Sequence, residues 1–536
     1  MFRSFLLGLT AACGLLIAGA SIGLPLLSTR GLFNVEAGFA ILWIACLLAS
    51  AHVASFPEIA GSALKAATVW NSIVAGLLLV GATFALLPAL SQPFLSDDFY
   101  LVYGDPYATS MFYTAGDDGF YRPVGQFVMW VAREWLPLTP TAWGTWGLLL
   151  NLIVSALVGV LAARIGGSDG ERPDKILGVW AAAIFLAHGA HPEAAIWVAG
   201  RFDVMASGLV LAGLLAALAW RRSDSWKWMA ASVGFMLLAI STKEIAYGYP
   251  LLLALMFLLR PLSRGRAVRV LAVHACAAAA MLLFRFWMFQ GVGGYASAGS
   301  GGAEILAVTP LHVVKVFFTR LYTVLLLPVN WSVWPDAVTL ACIAAGVIAL
   351  CFAAWRVPPR FRMIVFALGW SAVAAAPGIA QLLIGPDLSK TRLLYLPSVG
   401  FCILLGSMAA RLATELGGRM AQVGLAAFFV AALQHNLQIW RPVGETVSNA
   451  CAQAASIARA RPEPLRFEGL PRSINGVYAF ANGFPMCVSH FSGRPVEDFD
   501  NAEDNLEAEV PENAIILRWH AEGERFESPR FEGQPW

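Results

Sequence analysis

The sequence is poor in charged residues. Asp, Glu, Lys and Arg make up only 13% of its 536 residues, whereas hydrophobic residues make up 58% and the mean hydropathy is +0.67. Soluble globular chains are about a quarter charged and about half apolar. The scarcity of charge therefore excludes a disordered chain, a coiled coil and an ordinary cytosolic enzyme.

Neither positive nor negative charge is in large excess. The 36 Lys and Arg nearly balance the 34 Asp and Glu, so the net charge is +2 and gives no basis for binding nucleic acid. The balance is uneven along the chain: residues 441–536 contain nine Arg, no Lys and 15 acids, a net of −6, and residues 1–440 contain the other 27 basic and 19 acidic groups, a net of +8. We therefore expect an apolar membrane body followed by a small acidic domain.

Cysteine and histidine are scarce, with eight of each. The sequence contains no CxxC motif or His/Cys cluster that would predict a zinc site, and no Walker or GxGxxG motif that would predict a phosphate-binding loop. Six cysteines lie in or beside apolar runs, where Cys behaves as a small hydrophobe. Only Cys451 and Cys487 fall in the acidic tail, and whether they pair is open.

The sequence does contain many apolar runs close to the ~20 residues that cross a bilayer. The runs lie near residues 5–27, 34–54, 70–90, 143–163, 176–190, 203–220, 228–242, 246–260, 269–289, 337–355, 362–381, 393–411 and 420–437. The first run is interpreted as a retained anchor and not as a cleaved signal peptide. The expected fold class is an all-α polytopic membrane protein of about thirteen transmembrane helices, with a small α+β or β-rich C-terminal domain.

The runs and charges predict three regions. Residues 1–68 contain two additional N-terminal helices, residues 69–440 form the main membrane domain with an external loop at 91–142, and residues 441–536 form a small acidic extracytoplasmic domain. The tail segments LPRSINGVYAFANGFPMCV and AIILRWH predict strands separated by NG-type turns.

Short basic loops predict the orientation. Clusters at 164–175, 221–227, 260–269 and 356–362 fall on one side if the N-terminus is cytoplasmic and the segment 311–328 is an interfacial amphipathic helix that does not cross. An odd number of spans then places the C-terminal tail outside, in the periplasm or a lumen. We expect an integral membrane protein of the bacterial inner membrane.

Ionisable residues near lipid are costly and mark candidate functional sites. Asp97 and Asp98 follow a span on the external side. Acidic residues at helix ends are commonly caps or turns, but a carboxylate in this aromatic, lipid-proximal setting is a candidate general base with a raised pKa. Asp117 and Asp118, in GDDG, predict a turn and are second choices.

Cations share this predicted side of the membrane. They are Arg122, Arg201, Lys243 and Arg392. Because Arg binds phosphate or carboxylate through two hydrogen bonds, these loops favour an anionic, phospholipid-like ligand. Alternatives remain open: Arg122 contacts lipid headgroups, Arg201 pairs with Asp203, and Lys243 pairs with Glu244.

Two histidines and one Gly/Ser-rich segment each allow two interpretations. His188 and His191 are either hydrogen-bonded structural groups or metal ligands beside a carboxylate cluster. The Gly/Ser-rich segment 291–302 predicts a flexible loop, which is either a plain connection or a lid over a bound ligand.

Five motifs, in this order, resemble the C-type (GT-C) multi-span glycosyltransferases that use polyprenyl-phosphate sugars, in particular the transmembrane-and-tetratricopeptide O-mannosyltransferase group and its bacterial relatives. The motifs are SDDF at 96–99, YRPV at 121–124, HPEAAIWVAGRFDVMAS at 191–207, TKE at 242–244 and RLLYLPSVGF at 392–401. The resemblance covers about residues 92–410 and implies a GT-C-like membrane domain.

The resemblance also implies an activity. An inverting glycosyltransferase would move a sugar from a polyprenyl-phosphate carrier to a hydroxyl acceptor in a protein, glycan or lipid, with Asp97 or Asp98 as the base. The basic residues near the lipid phosphate would be Arg122, Arg201, Lys243 and Arg392. The supporting residues would be His191, Glu193, Asp203, Glu244 and Tyr395. No cofactor is required and no metal ligand is assigned, although some relatives use a divalent ion.

The chain differs from that group in its two N-terminal spans and in having no helical repeats after residue 440. The sugar and the acceptor therefore stay open. The alternative function is a transporter or flippase of lipid-linked glycans, for which internal repeats and polar groups at mid-membrane are typical. A third reading is a catalytically silent scaffold.

Overall fold

A computed structural model describes residues 2–21, 28–50, 61–104, 120–167, 173–291, 293–294, 308–502 and 513–527. Its α-helices are α1 (Phe2–Ser21), α2 (Thr29–Ser50), α3 (Gly61–Leu86), α4 (Asp98–Tyr103), α5 (Pro123–Trp135), α6 (Pro140–Gly166), α7 (Lys175–Leu186), α8 (Pro192–Ala195), α9 (Arg201–Ser223), α10 (Trp226–Ile240), α11 (Tyr249–Leu259), α12 (Arg264–Phe289), α13 (Pro310–Val316), α14 (Tyr322–Leu326), α15 (Ala337–Arg356), α16 (Phe361–Ala375), α17 (Tyr395–Leu412), α18 (Leu416–Gln438), α19 (Trp440–Ala460) and α20 (Phe484–Ser492). Its strands are β1 (Leu465–Glu468), β2 (Ser473–Ile474), β3 (Val477–Tyr478), β4 (Phe499–Asn501), β5 (Ile515–His520) and β6 (Arg525–Glu527).

In the described part of the chain, nine helical segments are long and apolar enough to cross a membrane. They are Thr29–Ser50, Ala66–Ser91, Pro140–Gly166, Arg201–Ser223, Arg264–Phe289, Ala337–Arg356, Phe361–Gln381, Thr391–Leu412 and Leu416–Ala460. Helices of this length and composition indicate an integral membrane protein in a lipid bilayer.

The other predicted spans coincide with shorter apolar helices. These are Ser4–Ile17, Lys175–Leu186, Trp226–Ile240 and Glu244–Leu259. A 12-residue helix such as α7 rises only about 18 Å, which is less than the ~30 Å hydrocarbon core. The count of about thirteen transmembrane helices therefore stays a prediction.

Local sequence explains where several helices begin. The Asp174 carboxylate accepts a hydrogen bond from the Leu177 amide at 3.0 Å at the start of α7, and the Asp336 carboxylate accepts one from the Thr339 amide at 2.7 Å at the start of α15. Such caps satisfy amides that have no partner within the helix. The helices thus start at polar residues that border the apolar runs.

The interior of the bundle lies around α17, which is buried along nearly its whole length between α7 and α16. Polar groups inside the bundle bond to one another: Asn71 Oδ1 accepts from Trp180 Nε1 at 2.8 Å and from Gln422 Nε2 at 2.7 Å. Because an unpaired polar group is costly away from water, these bonds fix α3, α7 and α18 relative to each other.

The basic loops share one end of the bundle. Arg260 donates to the Arg164 carbonyl at 3.0 and 2.7 Å, and Arg221 donates to the Pro261 carbonyl at 3.4 Å. Arg356 pairs with Glu415 at 2.5 Å at the start of α18. The helices that leave this end reach the opposite end near residues 201, 243, 285 and 392, and we call this the polar end.

The two N-terminal helices are packed into the bundle, with α1 against α2 and α15. Trp43 Nε1 donates to the Leu350 carbonyl of α15 at 2.9 Å, and Trp331 Nε1 donates to Glu36 Oε1 of α2 at 2.9 Å. The segment 311–328 is helical but interrupted by a π-turn at Phe317–Leu321. That segment is not among the candidate spans of the described residues, and its interfacial position stays a prediction.

The C-terminal region combines strands with helices. The strand order is β4-β1-β5-β6, in which β1 is parallel to β4 and β5, and β6 is antiparallel to β5. The predicted NG hairpin is present as β2–β3, with Asn475 and Gly476 at φ of 50° and 88°, as a two-residue turn of this kind requires. AIILRWH contains β5 as predicted.

One strand prediction in this region is wrong. The residues FPMCV begin α20. Gly483 ends the preceding turn with φ of 77°, and a proline lies in the first turn of the helix, where its missing N–H costs nothing. A disulfide joins Cys487 of α20 to Cys451 of α19, which resolves the pairing that the sequence left open.

Candidate functional site

A cavity of about 980 Å³ opens at the polar end. Its wall is built from the loop before α4, the start of α5, the turn before α9, the turn before α11, the second half of α12, the segment after α16 and the segment before α17. Segments far apart in the chain meet here because antiparallel helices return the chain repeatedly to the same end.

Charged side chains line this cavity. Among the described residues, the lining contains the cations Arg122, Lys243, Arg285 and Arg392 and the carboxylates Asp97 and Glu244. Three of the four cations that were predicted to share one side of the membrane therefore lie on one wall surface, together with one of the two acidic residues that follow the span.

Asp97 is half-buried in the loop before α4 and faces the cavity. Its Oδ1 accepts a hydrogen bond of 2.7 Å from Asn482 Nδ2 of the C-terminal region. Burial raises the pKa of the Asp97 carboxyl above its ordinary value, while the Asn482 bond and the charges of Arg392, Arg472 and Arg122 act in the opposite direction. A carboxylate with a raised pKa is a stronger base than a solvated one.

Asp98 lies behind the wall and is only 3% exposed. Its Oδ2 accepts from the Leu95 amide at 3.1 Å, and its Oδ1 accepts from the Ala199 amide at 3.2 Å. Burial raises the pKa of Asp98 to about 8. The two adjacent acids thus differ in position: Asp97 is open to a ligand, and Asp98 ties the loop to the turn before α9.

Glu244 joins two guanidinium groups on the cavity wall. Arg122 donates to it through Nε at 3.0 and 3.2 Å and through Nη2 at 2.7 Å, and Arg285 Nη1 donates at 3.1 Å. Two cations around one carboxylate leave a local excess of positive charge, which favours an anionic ligand. Arg285 was not selected from the sequence, although a basic residue inside the apolar run 269–289 was a signal for it.

The sequence alternatives that paired near neighbours are wrong. Lys243 Nζ forms its ion pair with Asp203 Oδ2, and not with Glu244. Arg201 and Asp203 are two positions apart on a helix, and such residues do not face each other. Lys243 is extended, with φ of −160° and ψ of 146°, so its side chain and that of the next residue point to different sides.

Arg201 is buried at 1% exposure and does not line the cavity. Its guanidinium lies 4.9 Å from the Trp146 ring centroid and 5.7 Å from that of Trp143. Its charge acts on the Asp98 carboxyl and opposes the rise of the Asp98 pKa that burial causes. The structure thus places this predicted phosphate ligand behind the wall, next to the buried acid.

Arg392 is held from several directions. It forms an ion pair with Glu193, and its guanidinium lies 4.9 Å from the ring centroid of Trp197 and 5.3 Å from that of Tyr478. Glu193 Oε2 also accepts from the Thr391 hydroxyl at 3.3 Å and from the Arg392 amide at 3.2 Å. Glu193 is therefore a residue that fixes the segment carrying Arg392.

Three other selected residues are buried in the bundle and do not line the cavity. His188 Nε2 lies 3.0 Å from the Leu325 carbonyl, and His191 Nε2 lies 2.9 Å from the Ser398 hydroxyl. Tyr395 donates its hydroxyl to Asn151 Oδ1 at 2.5 Å. Both histidines therefore have hydrogen-bond partners inside the bundle, as expected for structural groups.

Metal ligation was the other reading of the histidines. Within the part of the chain that the structure describes, no group of three His, Cys, Asp or Glu side chains could hold a metal ion. Asp117, Asp118 and the greater part of 291–302 lie outside the described residues. Of the Gly-rich segment, Gly293 and Gly294 line the cavity.

The C-terminal region forms part of this site. The Ser96 amide donates to the Ala479 carbonyl at 3.1 Å, and the Asn482 amide donates to Ser96 Oγ at 3.2 Å. Asn482 itself lines the cavity. The sequence indicated only a turn at ANG and did not connect it with the acidic pair.

No protein-family model matches the chain, and no curated protein is significantly similar to it.

Proposed function

We propose that the protein is an inverting, GT-C-type glycosyltransferase that moves a sugar from a polyprenyl-phosphate carrier to a hydroxyl group of a protein, glycan or lipid. The observation that carries the proposal is the cavity at the polar end, where the Asp97 carboxylate shares the wall with Arg122, Lys243, Arg285 and Arg392. A base and a cluster of cations are the two requirements of a displacement that expels a phosphate.

In this reaction Asp97 removes the proton of the acceptor hydroxyl while the oxygen attacks the anomeric carbon. The bond between that carbon and the phosphate oxygen breaks, and its electron pair stays on the phosphate. The positive groups around Glu244, together with Lys243 and Arg392, stabilise the charge that develops on the leaving group. A single displacement of this kind inverts the anomeric configuration, and the residues supply it without a cofactor.

The shape of the cavity supports a lipid-linked donor. Ala275, Ala278 and Leu282 of α12 form an apolar part of its wall, while Leu283 and Trp287 on the same helix are 70% and 67% exposed. A wall helix with one face on the cavity and the other exposed to lipid places the cavity beside the bilayer, where the isoprenoid chain of a donor lies while its phosphate binds the cations at the polar end.

The membrane orientation is part of the proposal. The basic loops favour the cytoplasm for their end of the bundle, and the disulfide between Cys451 and Cys487 favours an oxidising compartment for the other end. We therefore place the N-terminus in the cytoplasm and the C-terminal domain in the periplasm of a bacterial inner membrane. Labelling an Arg472→Cys variant in intact cells tests this; protection from an impermeant thiol reagent contradicts it.

The activity test uses the purified protein in nanodiscs with a panel of polyprenyl-phosphate hexoses and pentoses. Release of polyprenyl phosphate is measured by mass spectrometry with and without candidate acceptors. We expect Asp97→Asn to lower turnover by about 10²- to 10⁴-fold, the usual contribution of a general base. Asp224→Asn is the matched control, since Asp224 is exposed at the basic end, where it pairs with Arg266 at 3.0 Å.

Two outcomes would contradict the proposal. One is full turnover by the Asp97→Asn variant. The other is the absence of turnover with every donor, together with movement of a lipid-linked glycan across proteoliposome membranes, which would favour a flippase.

A further inference from the structure

The loop 479–483 of the C-terminal domain closes directly on the loop that carries Asp97. Its contacts are a backbone hydrogen bond from Ser96 to Ala479 at 3.1 Å, one from the Asn482 amide to Ser96 Oγ at 3.2 Å, and one from Asn482 Nδ2 to Asp97 Oδ1 at 2.7 Å. Asn482 and Asp97 are 385 positions apart in the chain. Two bonds therefore align the loops, and the third reaches the carboxylate itself.

The position of Asn482 is fixed from its other side as well. Gly483, at φ of 77°, leads directly into α20, and the left-handed conformation is one that glycine adopts without strain. The disulfide ties α20 to α19. The first turn of α19 is bound in turn to the segment before Asp97, because Gln92 Nε2 donates to the Trp440 carbonyl at 2.9 Å. These links hold the amide donor and the carboxylate in one rigid unit.

We propose that Asn482 is a positioning residue for Asp97, so that the C-terminal domain completes the active site of the membrane domain. This inference rests on the proposed function. With Oδ1 bound to the Asn482 amide, the rotation of the carboxylate is fixed, and Oδ2 is the oxygen left to take the proton from the acceptor hydroxyl. The acceptor oxygen then forms its bond to the anomeric carbon while the phosphate leaves with the electrons of the broken bond.

The hydrogen bond also has an electrostatic effect. A donor to an ionised carboxylate stabilises the charged form, and at Asp97 it opposes the rise in pKa that burial causes. The charged and titratable groups that line the cavity with Asp97 or act on its carboxyl are Asp98, Tyr100, Arg122, Lys243, Glu244, Tyr247, Arg285, Arg392 and Arg472. None of these is altered when Asn482 is replaced.

The first readout is the pH dependence of kcat/KM in the full-length protein. A base must be ionised to act, so activity falls as the pH drops through the pKa of Asp97. In Asn482→Ala the acid limb of the kcat/KM profile should move to higher pH by about one to two units, which corresponds to the loss of one hydrogen bond to a charged group. We also expect kcat to fall more than KM rises, because the donor-binding cations are intact.

Asn482→Asp is the second variant, nearly identical in size, and it serves if Asn482→Ala does not fold. It removes the donor and adds a like charge, so the limb should move further in the same direction. The control is Gln453→Ala, which removes a 2.8 Å hydrogen bond to the Glu524 carbonyl elsewhere in the same domain. A residue with a merely structural role would lower the yield of folded protein without moving the limb.

The second readout needs no substrate. Infrared difference titration, with the spectrum of Asp97→Asn subtracted, follows the protonation of the Asp97 carboxyl directly. An unchanged midpoint in both Asn482 variants overturns the inference even where sugar transfer is found. A midpoint that moves upward in a protein that turns over no polyprenyl-phosphate sugar supports the Asn482–Asp97 coupling and contradicts the proposed function instead.

Discussion

Replacing Arg285 by methionine removes one of the two guanidinium groups that share the Glu244 carboxylate. The Arg285 side chain is 7% exposed and donates to Glu244 at 3.1 Å. Glu244 keeps its contacts to Arg122 at 2.7 to 3.2 Å, so no carboxylate is left buried without a partner. We therefore expect a small loss of stability, about 1 kcal/mol, as for an ordinary substitution.

The effect on the reaction should be larger. A hydrogen bond to a charged group contributes about 1.5–3 kcal/mol, so losing one cation at the leaving phosphate should lower kcat/KM by roughly 10- to 150-fold. The assay is donor turnover in nanodiscs with the thermal unfolding midpoint measured in parallel. Arg285→Lys should recover part of the activity because it keeps the charge.

The matched control is Arg269→Met, which removes an exposed arginine from the opposite end of the same helix and should leave turnover unchanged. Equal losses in Arg285→Met and Arg269→Met, or unchanged turnover in Arg285→Met, would refute the assignment of Arg285 to the phosphate.

Two further predictions concern the groups around the cavity. Lys243→Met leaves the fully buried Asp203 without its cation and should lower the free energy of unfolding by about 3–5 kcal/mol. The double variant Lys243→Met/Asp203→Leu should recover most of that loss, and equal thermal unfolding midpoints in the two variants would contradict the prediction. For Asp98, a folded-state pKa of about 8 lies above the unfolded value of about 3.9, so its contribution to stability is present at low pH and lost as the pH rises through 8. The midpoint of the wild type should therefore fall relative to that of Asp98→Asn between pH 5 and pH 8, and parallel curves would exclude the shift.

The location of the candidate site was partly predictable from the sequence. The acidic pair and four cations were expected on one side of the membrane; Asp97, Arg122, Lys243 and Arg392 line one cavity, whereas Asp98 and Arg201 are buried behind its wall. That prediction depends only on the lengths of the apolar runs and on the basic loops between them, since each crossing reverses the side on which the next polar segment lies.

The partners of these residues were not predictable in the same way. The pairing of Lys243 with Asp203, and of Glu244 with two arginines, depends on how each helix is rotated about its axis. Membrane helices that are apolar on every side give little indication of that rotation. The sequence also could not distinguish Asp97 from Asp98, because the conformation of the loop before α4 decides which of the two side chains faces the cavity.

Asn482 was the least predictable member of the site. Its hydrogen bond to Asp97 joins positions 385 residues apart, and no periodicity or charge pattern links a turn in an acidic tail to a loop in a membrane domain. The tail was expected to be a small acidic domain of open role, and its Asn482 lines the cavity.

The most direct measurement is the anomeric configuration of the transferred sugar, determined by NMR on the product and compared with that of the donor. A single displacement with Asp97 as the base predicts inversion, and it predicts that Asp97→Asn forms this product at least 100-fold more slowly. Retention of configuration, or inversion at an unchanged rate in Asp97→Asn, would contradict the mechanism.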